Sequence, residues 1–153
     1  VSSAIQISVE RAGLTYVPAA RILAIKGASL GIPVSGTKLI PDQLFAIQYP
    51  DGYRAFALEV DRGTEPMRSC AARKSLQRSM AQYVRVLDDN LHRQYYGLKS
   101  NLAVLWVFSS VARQRQFESL AEPGDRRFLK DHCEAAVPRW DNVRLLVGAL
   151  GVL

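Results

Sequence analysis

Three carboxylates near one end of two apolar segments are the side chains of this sequence best suited to chemistry. Asp42 lies near the start of the first segment, and Glu59 and Asp61 end the second. Acidic residues are depleted in strands, so their presence there needs a reason. Carboxylate oxygens are the ligands that Mg²⁺ and Mn²⁺ prefer, and such ions activate water beside a phosphate. The three residues are therefore candidate metal ligands and candidate catalytic groups for phosphodiester cleavage.

The two segments that carry these carboxylates are predicted to form a β-hairpin. Leu39–Tyr49 and Tyr53–Asp61 flank the sequence PDG at residues 50–52, in which Pro fixes φ, Asp caps the turn and Gly tolerates positive φ. Side chains alternate along a strand, so Glu59 and Asp61 share one face with two alanines. We expect a helix to cover one end of that face and the carboxylate end to be open.

The other predicted elements place this hairpin in a mixed sheet. Ile5, Val9 and Ala12 recur at helical spacing behind serines that can cap a helix over residues 2–12. The remaining predictions are a strand over Arg21–Lys26, a loop over Gly27–Gly36, a helix from Thr64 or Ser69 to Leu91, a strand over Leu102–Phe108 buried on both faces, a helix from Ser109 or Ser110 to Leu120, and helical structure from Glu122 to Ala136 before Pro138. The order α-β-β-β-α-β-α predicts an α/β protein whose mixed central sheet is flanked by helices.

Length and composition fit one globular domain over residues 1–153. The chain is 48% hydrophobic and has a net charge of +6, from 20 basic and 14 acidic side chains. A basic balance favours an anionic partner, with nucleic acid first and a membrane surface second. The two cysteines are far apart, which fits a reducing cytosol, and no apolar run is long enough to span a bilayer. Because the sequence starts at Val1 without Met, we expect a fragment of a longer protein.

The order of elements resembles the restriction-endonuclease-like fold of the PD-(D/E)XK nuclease superfamily. Pro41-Asp42 resembles the PD element of that superfamily, and residues 59–61 (EVD) stand at its (D/E)XK element. The resemblance implies Mg²⁺ or Mn²⁺ as cofactor, with Glu10 on the first helix as an additional ligand beside the three carboxylates. This sequence departs from the pattern at Asp61, where the superfamily has lysine. Lys74, early in the next helix, is the best substitute by position.

A narrower resemblance extends from about Ser2 to Leu120. The strings PDQLFAIQYPDGYRAFALEVDRGTEP and YGLKSNLAVLWVFSS resemble the replication-relaxation family of bacterial plasmids and mobile elements. This resemblance implies a bacterial cytoplasmic protein that acts on DNA in plasmid replication or transfer. Family members often carry a winged-helix module upstream, and none is visible here.

Basic side chains near the carboxylates are candidate contacts to nucleic acid phosphates. They are Arg62, Arg73, Lys74 and Arg78. Lys74 or Arg62 can also stabilise developing charge at a scissile phosphate.

A purely structural interpretation of the same residues stays open. In it Asp42 caps a turn, Glu59 and Asp61 pair with Arg62 or Arg73, and the basic helix face is solvated. The sequence thus supports two functions: a metal-dependent DNA nuclease, and an inactive nuclease-like module that binds DNA or protein. A homodimer formed through a sheet edge or the apolar tail at residues 145–153 is a third, weaker hypothesis.

Overall fold

The computed structural model describes residues 1–69 and 75–120 of the 153-residue chain. Within these ranges helices flank a central mixed sheet, so the predicted mixed α/β architecture is confirmed. The elements are α1 (Ser2–Arg11), β1 (Thr15–Pro18), α2 (Ala19–Leu23), β2 (Ile32–Val34), β3 (Thr37–Leu39), β4 (Gln43–Tyr49), β5 (Gly52–Asp61), α3 (Leu76–Asp88), α4 (Leu91–Tyr96), β6 (Leu102–Phe108) and α5 (Val111–Glu118).

Four strands form the central sheet in the order β1-β4-β5-β6. The pairs β1–β4 and β4–β5 are antiparallel. The backbone N–H of Ser109, just after β6, donates to the carbonyl of Asp61 at the end of β5 over 3.1 Å. The carboxyl ends of β5 and β6 therefore lie together, as they do in a parallel pair. A second, two-stranded sheet consists of β2 and β3.

The predicted hairpin is confirmed as β4 and β5. Tyr49 pairs with Gly52, so the loop contains only residues 50 and 51. Gly52 has a φ of 141°, a conformation that L side chains rarely adopt, which explains the glycine of the PDG turn. Farther along, Phe45 pairs with Phe56 and their rings stack with centroids 5.1 Å apart. These contacts fix the register as far as the carboxylates.

Strand β4 begins later than predicted. The sequence places the strand start at Leu39, whereas β4 begins at Gln43. Proline has no backbone N–H to donate to a strand ladder, so Pro41 fits poorly inside a paired strand. Asp42 consequently lies just before β4 rather than within it.

The predicted strand over Arg21–Lys26 is wrong. Residues 19–23 form α2, and the strand in this part of the chain is β1, at Thr15–Pro18. Pro18 has extended backbone and is the N-cap residue of α2. Two alanines then favour the helix, and a short apolar run does not by itself distinguish helix from strand.

The predicted loop over Gly27–Gly36 is wrong at residues 32–34, which form β2. This strand pairs antiparallel with β3. The two connecting residues have positive φ, 49° for Ser35 and 78° for Gly36. Such φ values suit a tight turn between two strands. The Gly- and Ser-rich composition of the segment favours a loop and does not by itself predict the hairpin.

The first predicted helix is confirmed as α1, but its predicted serine cap is wrong. The N-cap residue is Val1, no side chain caps the helix, and the serines lie inside its first turn. Ile5 and Val9 form its buried face. Ile7, which equally fits a strand, is 48% exposed.

The long helix predicted after β5 is shorter than expected. Residues 64–69 are not helical, and α3 covers Leu76–Asp88. The Oγ atom of Ser75 accepts a hydrogen bond from the backbone N–H of Arg78 over 3.3 Å, as an N-cap side chain does. Asn90, with a φ of 53°, separates α3 from α4.

The last described strand and helix are confirmed as β6 and α5. Ser110 caps α5, since its Oγ accepts a hydrogen bond from the backbone N–H of Arg113 over 3.2 Å. The expectation that both faces of β6 are buried is wrong, because its last four residues are only half-buried. The predicted helix from Glu122 to Ala136, with its break at Pro138, lies outside the described residues.

The chain divides into two compact units. The first comprises Val1–Glu59 and Arg85–Leu105, and the second comprises Val60–Val84 and Trp106–Leu153. The core of the first unit includes apolar side chains from both strands of the hairpin and from α4. Those side chains include Leu44, Phe45, Ile47, Phe56, Leu58 and Tyr96.

The second unit has a small core of its own among the described residues. Leu76, Met80 and Phe117 are buried there, with partly buried apolar side chains packed against them. Tyr83 of α3 is 2% exposed and meets the ring of Trp106 edge to face at 6.1 Å. Tyr83 is therefore a buried side chain of this unit.

Candidate functional site

Two of the predicted carboxylates flank the last residue pair of the hairpin ladder. That pair is Gln43 with Leu58. Asp42 directly precedes Gln43, in the bend before β4, and Glu59 directly follows Leu58 in β5. Asp42 and Glu59 belong to the same compact unit.

The face beneath this carboxylate pair is tightly packed. The next two residue pairs on that face, Leu44 with Ala57 and Ala46 with Ala55, are buried. Glu59 is only 3% exposed, whereas Asp42 is exposed. The expectation of an open carboxylate end is therefore wrong at Glu59, which is buried beside other buried residues of the same face. Only the Asp42 side of the pair reaches solvent.

Asp61, in the second unit, has a different environment. The guanidinium group of Arg113 donates two hydrogen bonds to its carboxylate, from Nε to Oδ2 over 2.7 Å and from Nη2 to Oδ1 over 3.1 Å. The backbone N–H of Gly63 donates a third, to Oδ1 over 3.0 Å. The Asp61 side chain is 0% exposed and that of Arg113 is 19% exposed. The structural interpretation of the sequence thus gains an arginine partner for Asp61 that it did not name, Arg113.

Arg113 is a residue that sequence reasoning missed. It lies 52 positions from Asp61, and the surrounding sequence RQRQ carries no recognisable motif. Its Nη2 also donates to the backbone carbonyl of Glu65 over 2.6 Å. The hydrogen bond to Asp61 raises the pKa of Arg113 above its ordinary value, so the guanidinium group stays charged at any working pH. The tertiary fold brings these two distant residues together, so no local sequence pattern predicts their contact.

The other predicted site residues are dispersed. Glu10 is exposed on α1, and its Oε1 accepts a hydrogen bond from Gln6 over 2.9 Å. Arg62 is exposed in the loop after β5, and Arg78 lies in α3. Arg73 and Lys74 fall outside the described residues.

No metal-binding cluster of three or more His, Cys, Asp or Glu side chains occurs within residues 1–69 and 75–120. Glu10 therefore does not complete such a group there, and the predicted ligand set stays a prediction. Two carboxylates alone are compatible with Mg²⁺, which usually keeps several waters and takes further oxygens from substrate phosphates. Asp42 and Glu59 supply donors of that kind.

The described residues thus define a mixed α/β protein with two carboxylates next to the last residue pair of its central hairpin. A family model described as replication-relaxation matches residues 12–102, more than half of the chain. The chain belongs to the replication-relaxation family, as its resemblance to that family predicted. Membership supports a role in the replication of plasmids or mobile elements. The matched range includes all three carboxylates but not Arg113.

The remaining comparisons add no relatives. No curated protein and no solved structure matches the chain. In the described part of the chain, no helix has the length and apolar character that crossing a membrane requires.

Proposed function

We propose that this protein is a metal-dependent DNA nuclease of a plasmid or mobile-element replication or transfer system. The observation that carries the proposal is the hairpin ladder, whose last pair, Gln43 with Leu58, has Asp42 and Glu59 as direct neighbours. A divalent cation held by both carboxylates would offset the repulsion between their charges. Bound there, Mg²⁺ or Mn²⁺ would stabilise charge on a phosphate and lower the pKa of an attacking water.

The surroundings of the carboxylate pair support this proposal. Glu59 presents its oxygens from a packed, mostly dry face, where electrostatic interactions are stronger than in water. Asp42 lies at the exposed side, where a DNA phosphate can approach. The net charge of +6 favours that approach. Lys74, Arg62, Arg73 and Arg78 are the proposed contacts to the phosphate backbone.

The superfamily resemblance belongs to the same proposal. Pro41-Asp42, just before β4, and Glu59, in β5, match the acidic positions of the PD-(D/E)XK pattern. The lysine of that pattern is replaced by Asp61, so its cationic role falls to another side chain. Lys74 is the substitute that the sequence favours.

DNA cleavage tests the proposed activity. Purified protein is incubated with Mg²⁺ or Mn²⁺ and supercoiled, linear or branched DNA, and the products are separated on gels. We expect cleavage that requires the metal and falls at least about a hundredfold in Asp42→Asn and Glu59→Gln, the range for losing one preorganised electrostatic contact. Asp51→Asn removes a carboxylate from the other end of the same hairpin and should cleave as the wild type does. Undiminished cleavage by Glu59→Gln rules out this site.

The second candidate function is a nuclease-like module that binds DNA without cutting it. The pairing of Asp61 with Arg113 favours it, because an internal ion pair occupies the position that the superfamily gives to a catalytic lysine. This candidate predicts DNA binding that weakens with salt and no metal-dependent cleavage. The gel assay and a binding assay on the same samples separate the two functions.

A further inference from the structure

We propose that Arg113 is a phosphate-contacting residue and that Asp61 is the positioning residue that aims it. This inference deepens the proposed function and rests on it in one respect, that nucleic acid is the ligand. It gives Asp61 a role other than metal binding. It also supplies the cation that the sequence lacks at the superfamily's lysine position.

The hydrogen bonds of Arg113 orient its guanidinium group. The group has five N–H donors in a rigid plane. Nε and Nη2 contact the Asp61 carboxylate along one edge, and Nη2 also reaches the carbonyl of Glu65. In the described part of the chain, no hydrogen bond involves Nη1. The side chain is 19% exposed, so a phosphate oxygen can reach the guanidinium group from solvent.

The environment of Arg113 suits a phosphate. Ser109 and Ser110 follow β6 and are exposed, as are Arg62 and Thr64 after β5. The bond from the N–H of Ser109 to the carbonyl of Asp61 brings these two loops together. The carboxylate of Glu65, next after Thr64, also interacts with the charge of Arg113. The exposed residues of the two loops add hydroxyl groups and a second cation. A planar guanidinium beside such groups recognises phosphate oxygens well.

Asp61 is better suited to hold an arginine than a metal ion. Its two oxygens already accept three hydrogen bonds, and its side chain is 0% exposed. A hydrated Mg²⁺ needs open coordination positions for water and phosphate. Replacing the guanidinium with such an ion would also leave Arg113 without its partner. The contacts therefore assign Asp61 to Arg113.

A DNA-binding titration without metal tests the assignment. Fluorescence anisotropy of a labelled duplex is measured in EDTA with the full chain. Loss of the charged hydrogen bond in Arg113→Ala should weaken binding about tenfold. Arg115→Ala, two residues along the same helix and exposed, removes the same charge and should change the affinity less than about threefold.

Asp61→Asn is the decisive variant. It removes a negative charge, so electrostatics alone predicts tighter binding to DNA. If Asp61 positions Arg113, binding should instead weaken by roughly the same tenfold as in Arg113→Ala. Mn²⁺ binding by calorimetry should persist in Asp61→Asn and be lost in Glu59→Gln, which separates positioning from metal ligation.

Several outcomes would overturn the assignment. DNA affinity that is unchanged or higher in folded Asp61→Asn contradicts positioning, and equal losses in Arg113→Ala and Arg115→Ala contradict a specific contact. Thermal unfolding checks that each variant folds. If Arg113→Ala does not fold, Arg113→Lys takes its place, because lysine keeps the charge and loses the bidentate hydrogen bonding of arginine. Wild-type protein that binds no DNA would instead remove the proposed function itself.

Discussion

At the residue scale, Glu59 and Asp61 show how two acidic side chains on the same face of one strand take different roles. Asp61 is enclosed by Arg113 and Gly63, which together satisfy its charge. Glu59 is buried next to the last pair of the hairpin ladder, and Asp42 is exposed. The partner of Asp61 is an arginine, and for Asp42 and Glu59 we propose a shared divalent metal ion.

The Asp61–Arg113 pair should be coupled in stability as well as in binding. Removing either partner leaves the other charge unpaired where water reaches it poorly. Single substitutions in buried ion pairs lower the free energy of unfolding for this reason. We expect the free energies of unfolding from urea titrations of Asp61→Ala, Arg113→Ala and the double variant to give a coupling energy of about 2 kcal/mol. If the losses of the two single variants sum to the loss of the double variant within about 0.5 kcal/mol, the pair contributes nothing beyond its separate contacts.

At the element scale, the helix ends determine where the functional residues lie. Ser110 starts α5 and thereby sets the position of Arg113 three residues later. A serine N-cap is worth about 1 kcal/mol relative to alanine, so Ser110→Ala should lower the free energy of unfolding by about that amount. Ser109→Ala, at the adjacent exposed position outside the cap, is the control and should cost less than about 0.5 kcal/mol. Equal losses in urea unfolding would count against the cap.

Glycines with left-handed backbone conformation follow α1 and α4, and they provide a second matched pair of substitutions. Gly13 and Gly97 have nearly equal φ, 71° and 74°. A Cβ atom added at Gly97 would lie 2.9 Å from Cγ2 of Ile25, whereas a Cβ atom added at Gly13 would have no atom within 4 Å. Alanine at Gly13 should cost about 1 kcal/mol from backbone conformation alone. Alanine at Gly97 should cost at least about 1 kcal/mol more, because packed neighbours must shift. Thermal unfolding of the two variants checks this, and equal melting temperatures would contradict it.

Local sequence signals predict some elements and miss others for physical reasons. The PDG turn and the apolar runs of β5 and β6 were predictable, because turn chemistry and side-chain alternation act over a few residues. Strand β1 and helix α2 were not, since a short apolar run near alanines fits either structure. In the candidate site, the nearness of Asp42 and Glu59 to the same end of the hairpin follows from its register. Arg113 could not be predicted, because its partner lies 52 residues away.

At the scale of the whole molecule, the positive charge and the family membership point to the same kind of partner. A net charge of +6 supports binding to the DNA backbone, and the replication-relaxation family supports a role in replication. Binding that neutralises phosphates releases counterions and therefore weakens with salt. We expect the affinity for duplex DNA, measured by anisotropy, to fall at least about tenfold between 50 and 200 mM salt. An affinity that does not depend on salt would exclude the phosphate backbone as the main contact.

The central claim is that Asp42 and Glu59 together hold a divalent metal ion. Isothermal titration of Mn²⁺ into the wild-type protein tests this claim most directly, alongside Asp42→Asn, Glu59→Gln and the hairpin-turn control Asp51→Asn. We predict Mn²⁺ binding by the wild type and by Asp51→Asn, and at least about tenfold weaker binding by each of the other two variants. Wild-type protein that binds no Mn²⁺, or binding that is unchanged in Asp42→Asn and Glu59→Gln, would contradict the claim.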